Sequence, residues 1–105
     1  MLVKTNQKQI FKNRVHYWAV KLDVKIAWLG VRPMCNKWAS CSTKGQLNFN
    51  NELLGFDEEI WDYVIVHELL HFSIPNHGKL WKSLMAAHIG DYQRIEERLK
   101  HKAVD

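Results

Sequence analysis

The apolar residues of the first twenty positions recur at the spacing of one helix face. Between Thr5 and Leu22 this face carries Ile10, Phe11, Val15, Trp18, Ala19 and Leu22. Thr5 or Asn6 can act as the N-cap, because a short polar side chain there can accept a hydrogen bond from a free backbone N–H group. The pattern predicts an amphipathic helix that packs by one face.

The middle of the chain changes to short extended segments. Apolar and small residues from Val24 to Leu29 predict a first strand, which Gly30 and then Pro33 would end. Residues 37–43 and 46–50 flank Gly45, which can adopt a positive φ, so we expect a β-hairpin. In the second arm apolar and polar residues alternate, which indicates a half-exposed strand and is compatible with a sheet edge.

Helical spacing returns in the second half. Asp57 can cap a helix that runs to about Phe72, since Pro75 disfavours helical backbone at Ile74. A further helix is expected from Gly78 to His88, ended by Gly90, and a last one from Asp91 through Leu99 and towards Lys102. The predicted fold is a single compact α+β domain over residues 1–105. It has an N-terminal helix, a small three-stranded sheet with a hairpin, and three further helices.

Composition and charge add few constraints. The apolar fraction of 47% and the charged fraction of 25% are ordinary for a soluble protein. The net charge of +4 permits nucleic-acid contact without requiring it. The apolar runs are too short to cross a bilayer and the first residues lack a signal-peptide core, so we expect a cytoplasmic protein. Cys35 and Cys41 are too few for a four-thiolate zinc site, and we expect them to pack as small apolar residues; a disulfide between them is the alternative.

The segment from His67 to His71 matches the pattern H-E-x-x-H within the predicted helix from Asp57. Residues four apart lie on one helix face, so both imidazoles can bind one metal ion. Glu68, about 100° round the helix, could take a proton from a water on that metal. The segment therefore predicts a zinc peptidase with Glu68 as general base; the alternative is that hydrogen bonds alone satisfy both histidines.

A catalytic zinc needs a third protein ligand and an open position, and His77 is the candidate for that ligand. Pro75 and the flanking Asn76 and Gly78 suit a turn that would return it to the metal, although His77 could also be an ordinary loop residue. His16, His88 and His101 lie on other predicted helices, where we interpret them as surface or packing residues. Tyr92 is interpreted mainly as a partly buried aromatic, with a hydroxyl that could stabilise an oxyanion.

These motifs together resemble those of the YgjP-like metallopeptidases, which carry a W-G-S-C-S hairpin, a V-V-H-E-L-x-H helix and an N-H-x-x-x-F-W element. The matching segments are residues 38–45, 47–50, 62–71 and 75–77 with Trp81. The resemblance covers about Val24 to Leu99. It implies a compact zincin fold, Zn²⁺ held by His67, His71 and His77, Glu68 as catalytic residue, and a peptide or protein substrate. By the same analogy, strand 46–50 would be the edge strand that pairs with the substrate.

Two other functions remain open. The segment from His77 to Trp81 also resembles the H-G-x-x-W of SprT-like metalloproteases, which suggests a protease specialised for DNA-bound proteins. The other alternative is a non-catalytic module in which zinc only stabilises the fold, although such a site would need no base at Glu68. The oligomeric state and the identity of the metal in the cell stay undetermined.

Overall fold

The computed structural model describes residues 6–42, 44–74, 76–100 and the backbone of 103–104. Four helices and a small sheet confirm the predicted α+β class. The elements in chain order are α1 (Gln7–Lys21), β1 (Trp28–Arg32), β2 (Lys37–Cys41), β3 (Gln46–Asn50), a 3₁₀ helix (Asn51–Gly55), α2 (Glu58–Leu70), α3 (Lys79–Ile89), α4 (Tyr92–Leu99) and β4 (Ala103–Val104).

Helix α1 begins and ends with side-chain and backbone caps. The Asn6 side chain accepts a hydrogen bond from the Gln9 backbone N–H at 3.1 Å, whereas the alternative cap Thr5 lies outside the described residues. Asp23 adopts a left-handed φ of 56°, and the Val24 backbone N–H donates to the Ala19 carbonyl at 2.8 Å. Val24 thus closes the helix. The predicted strand 24–29 is therefore wrong in its boundaries, and β1 begins only at Trp28.

Gly30 lies within β1 and does not end it. The Trp28 side chain covers this glycine: a Cβ atom added there would lie 2.3 Å from Trp28 Cη2. Only a residue without a side chain fits beneath the indole, which explains a glycine inside this strand.

The sheet has the order β1-β3-β2-β4. Strand β3 lies inside it, parallel to β1 and antiparallel to β2. The prediction that residues 46–50 form an edge strand is therefore wrong, and a substrate cannot pair with β3, because neighbours occupy both of its edges. Apolar and polar residues alternate along β3 because Leu47 and Phe49 face the core, while Asn48 lies on the half-exposed outer face. The two-residue strand β4 runs parallel to β2 along its outer edge.

The hairpin between β2 and β3 is confirmed. Gly45 has a φ of 83°, and the Ser42 hydroxyl accepts hydrogen bonds from the backbone N–H groups of Lys44 and Gln46, both at 3.3 Å. Thr43, which the prediction included in the first arm, lies outside the described residues. This turn matters for function because it borders one side of the site described below.

Helix α2 forms the centre of the molecule. The Asp57 carboxylate accepts a hydrogen bond from the Ile60 backbone N–H at 3.1 Å, as the predicted cap requires. From Ile60 to Leu70 every residue except Asp62 is buried. Helix α1, the sheet, α3 and α4 all contact α2. Residues at the end of this helix are consequently held by packing from several sides.

A charged network fastens α1 to α2. The Arg14 guanidinium donates two hydrogen bonds to the Asp62 carboxylate, at 2.7 and 2.9 Å, and the Trp18 indole N–H donates a third at 2.7 Å. The hydrogen bond to Asp62 raises the pKa of Arg14. Paired donors of this kind fix orientation as well as distance, so the network sets how α1 lies against α2.

The last two helices follow the predicted pattern with small differences. Gly78 is the N-cap residue of α3, and Gly90, with a φ of 80°, ends it. Asp91 occupies the N-cap position of α4 but makes no capping hydrogen bond, and Lys102 lies outside the described residues. No helix among the described residues is long and apolar enough to cross a membrane. The two cysteines form no disulfide: Cys41 is half-buried, but Cys35 is exposed and does not pack as predicted.

Candidate metal centre

Two of the predicted ligands lie at the C-terminal end of α2. His67 is only 4% exposed, and His71 caps the helix one turn later. Their ring centroids are 5.1 Å apart. The helix ends at Leu70, slightly before the predicted Phe72, and the Ile74 backbone N–H donates to the Leu70 carbonyl at 2.8 Å. The four-residue spacing thus places both imidazoles on one face, as helix geometry requires.

The third predicted ligand reaches the same place from the segment between α2 and α3. His77 Nε2 lies 3.0 Å from His71 Nε2, and one nitrogen of each of the three imidazoles lies within 4.8 Å of the others. The Asn76 side chain accepts a hydrogen bond from the Gly78 backbone N–H at 3.1 Å, which forms a turn around His77. Pro75, on which the predicted turn partly depended, lies outside the described residues.

The separation between the His71 and His77 nitrogens fits a tetrahedral zinc ion. Zinc–nitrogen bonds of about 2.0–2.1 Å put two ligand nitrogens roughly 3.3 Å apart, close to the separation between His71 and His77. Partial burial of the His77 ring, reinforced by the neighbouring His71, lowers the pKa of His77. A lowered pKa favours the neutral imidazole, which is the form that binds a metal.

Within the described part of the chain, no other group of three or more histidine, cysteine or acidic residues could hold a metal ion. His16 is exposed on α1. His88 packs edge-on against Trp18 at 5.8 Å, away from the cluster. His101 lies outside the described residues. Three imidazoles from one chain would leave a fourth coordination position for water or substrate.

Glu68 follows His67 directly and is fully buried. Burial raises the pKa of the nearby Tyr63, with smaller contributions from the charges of Glu96, Tyr92 and, last, Glu68. The carboxylate of Glu68 therefore lies inside the protein, on the helical turn that joins His67 to His71. Its position suits a group that exchanges protons beside a metal and does not bind it.

Two clefts border the three imidazoles. The first has a volume of about 480 Å³ and is bordered by the hairpin turn, the end of α1 and His71. The second, of about 400 Å³, is lined by His67, His77 and residues of α2, α3 and α4. Each of the three histidines therefore borders one of the two clefts.

Several residues of the second cleft were not predicted as site residues from the sequence. Tyr63 lies one turn before His67 on the same face of α2, a position that helix spacing could have identified. Trp81 and Glu96 also line this cleft, but no spacing rule brings α3 and α4 to the site. Tyr92 is buried, as the main interpretation expected, and it faces the same cleft.

Comparison with known proteins identifies the family. A model of the YgjP-like metallopeptidase domain matches residues 1–102. The chain belongs to the YgjP-like metallopeptidase family. The resemblance seen in the sequence is therefore confirmed, and with it the assignment to a family of peptidases.

One curated protein and two solved structures are similar to this chain. The chain is 37% identical over 83 residues to a protein of Methanocaldococcus jannaschii named Uncharacterized protein MJ0123, with 74% of each chain covered. Its fold is similar to the crystal structure of the metallopeptidase zymogen jannalysin of the same organism, with a TM-score of 0.71 and 30% identity over 92% of this chain and 96% of that one. The metallopeptidase zymogen abylysin of Pyrococcus abyssi shares the fold at 20% identity, with a TM-score of 0.70 over 90% and 99% of the two chains.

Proposed function

We propose that this YgjP-like chain is a zinc-dependent peptidase in which His67, His71 and His77 hold the metal and Glu68 is the general base. The observation that carries the proposal is that three imidazole nitrogens lie within 4.8 Å of one another. Glu68, which is fully buried, follows one of these histidines, His67, on α2. The substrates would be peptides or unfolded proteins, because the family is one of peptidases and two clefts border the three histidines.

Each group has one chemical role. A bound zinc ion would polarise the scissile carbonyl and make water more acidic. Glu68 accepts a proton from the attacking water and later donates it to the leaving amine. The hydroxyls of Tyr63 and Tyr92, both in the second cleft, are candidate donors to the carbonyl oxygen as negative charge develops there.

The position of the sheet changes how a substrate could bind. Because β3 has strands on both sides, main-chain pairing with residues 46–50 is excluded. The hairpin turn contributes to the first cleft through Ser42, Lys44 and Gly45, while the end of α1 contributes Asp23 and Lys25. We therefore expect substrate contacts at this turn, and not along the β3 backbone.

The first experiment measures metal content and cleavage together. We expect one zinc ion per purified chain, and cleavage of a reduced, alkylated protein that stops on chelation and returns when zinc is added. Manganese, cobalt and nickel should be added in parallel, since three imidazoles also suit other transition metals. Cleavage that continues in the chelated protein would contradict the proposal.

A second candidate function is proteolysis of proteins bound to DNA. The observation that favours it is the presence of lysines beside both clefts, Lys25 and Lys44 at the first and Lys82 and Lys100 at the second. DNA binding through these lysines should weaken steeply as salt rises. Absence of binding to DNA at low salt would exclude this candidate.

The non-catalytic alternative makes a different prediction about coordination. A structural zinc site uses four protein ligands, whereas a catalytic site keeps one position open. Cobalt substitution distinguishes the two, because the visible spectrum of cobalt changes when an added anion such as azide enters an open position. We expect a change with this chain; an unchanged spectrum would favour the non-catalytic module.

A further inference from the structure

Trp81 lies against two of the three imidazoles. It belongs to the first turn of α3 and is only 4% exposed. Its ring stacks on His77, with centroids 4.3 Å apart and planes inclined by 33°, and it meets His67 edge-on at 4.9 Å. On another side Tyr92 packs edge-on against it at 5.8 Å. The indole is thus fixed by the core and presents its face to His77.

His77 needs such a support more than the other two histidines. It is exposed and precedes α3, so no helical hydrogen bonds surround it. The bond between Asn76 and Gly78 shapes the backbone on either side, but it leaves the two side-chain torsions of His77 undetermined. The described ring neighbours of His77 are His67, His71 and Trp81. Among these, Trp81 alone is not a proposed ligand.

Packing alone does not explain an indole at this position. The Trp81 indole N–H is buried and has no hydrogen-bond acceptor among the described residues. A buried donor without a protein acceptor is unfavourable, so hydrogen bonding within the protein gives no reason for an indole at this position. What the indole offers is a broad rigid face, large enough to cover His77 while its edge borders His67.

We propose that Trp81 is a positioning residue that orients the His77 imidazole towards the metal position by stacking on it. The inference depends on the proposed zinc site. Groups outside the ligand shell that orient a ligand commonly change metal affinity by about 10- to 100-fold when they are replaced. Trp81 would act in this way through ring contact, before any metal binds.

The test measures zinc affinity of folded protein by competition with a chromogenic chelator. Trp81→Met keeps apolar bulk but loses the flat face, and we expect zinc affinity to fall about tenfold. Trp81→Phe keeps an aromatic face and should remain within about threefold of wild type. The matched control is Met85→Ala, on the same helix and fully buried but outside both clefts; it should lower thermal stability and leave zinc affinity unchanged.

Combination with His77→Ala separates positioning from general damage. If Trp81 acts through His77, Trp81→Met should cause no further loss of zinc affinity once His77 is absent. Equal losses with and without His77, or wild-type zinc affinity in Trp81→Met, would overturn the proposal.

A measurement on the wild-type protein covers the case in which Trp81→Met does not fold. The imidazole protons of His77 should show an upfield ring-current shift in the NMR spectrum of the metal-free chain, and Trp81→Phe should keep part of it. Shifts typical of a solvent-exposed histidine would overturn the inference. A chain that binds no zinc at all would overturn the proposed function as well, so the two failures can be told apart.

Discussion

His67 and His71 come from the centre of the molecule, whereas His77 comes from its surface. His67 belongs to helix α2 and His71 caps it; this helix is buried along almost its whole length and is contacted by three helices and by the sheet. The third lies in a short segment shaped by one side-chain hydrogen bond and one aromatic contact. A metal centre of this kind therefore has a rigid half, His67 and His71, and an adjustable half, His77. Helix packing maintains the rigid half, and local contacts maintain the adjustable half.

The largest expected effect follows from loss of a helix-borne ligand. We expect His67→Ala to weaken zinc binding on the order of a thousandfold, since three ligands share a binding free energy of about 10–16 kcal/mol. His77→Ala should weaken it less, because the remaining pair on α2 keeps its geometry without the metal. Chelator competition measures both. Equal losses of zinc affinity in the two variants would contradict the proposed difference between the rigid half and the adjustable half.

Asp62→Asn tests how the network between α1 and α2 supports the helix that carries the rigid half. The substitution removes the charge that receives two hydrogen bonds from Arg14 and one from Trp18. We expect the free energy of unfolding to fall by about 2 kcal/mol, as measured by urea denaturation. Zinc affinity of the folded protein should stay close to that of wild type, since no ligand touches this network. A large loss of zinc affinity would mean that α1 influences the site directly.

Gly78→Ala tests the adjustable half with a smaller change. A Cβ atom at Gly78 would lie 2.9 Å from Asn76 Oδ1, so the Asn76 side chain must move and its hydrogen bond to the Gly78 N–H is disturbed. We expect zinc affinity to fall roughly three- to tenfold, which is at the low end of effects from outside the ligand shell.

Gly55→Ala is the matched control for Gly78→Ala. No atom lies within 4 Å of a Cβ placed at Gly55, so the added methyl group should change neither stability nor zinc affinity appreciably. If Gly78→Ala bound zinc as tightly as this control, the turn at Asn76 would not be needed to present His77.

The sequence could predict relations between residues of one helix, but it could not predict contacts between distant elements. Helix spacing predicted that His67 and His71 share a face, because that relation depends only on residues within one element. The place of residues 46–50 in the sheet was predicted wrongly, since strand order depends on distant pairings and an inner strand can still expose one face. Trp81 was missed as a site residue for a related reason: contacts between α2 and α3 leave no periodic signal in the sequence.

The beginning of β1 was also predicted wrongly, although it depends on residues that are close in the sequence. The apolar residues Val24 and Ile26 suggested a strand, but Val24 closes α1 through its hydrogen bond to Ala19. A pattern of apolar residues does not distinguish a strand from a helix cap that packs against the core. The hairpin was easier to predict, because Gly45 marks a backbone conformation that few other residues adopt.

The central claim is that Glu68 moves protons while the three histidines hold the metal. Glu68→Gln tests it most directly, with zinc content and cleavage of an unfolded protein measured on the same preparation. We predict that the variant keeps one zinc ion per chain and loses cleavage by about 10²- to 10⁴-fold, the usual contribution of a general base. Cleavage at the wild-type rate by the zinc-loaded variant would contradict the account.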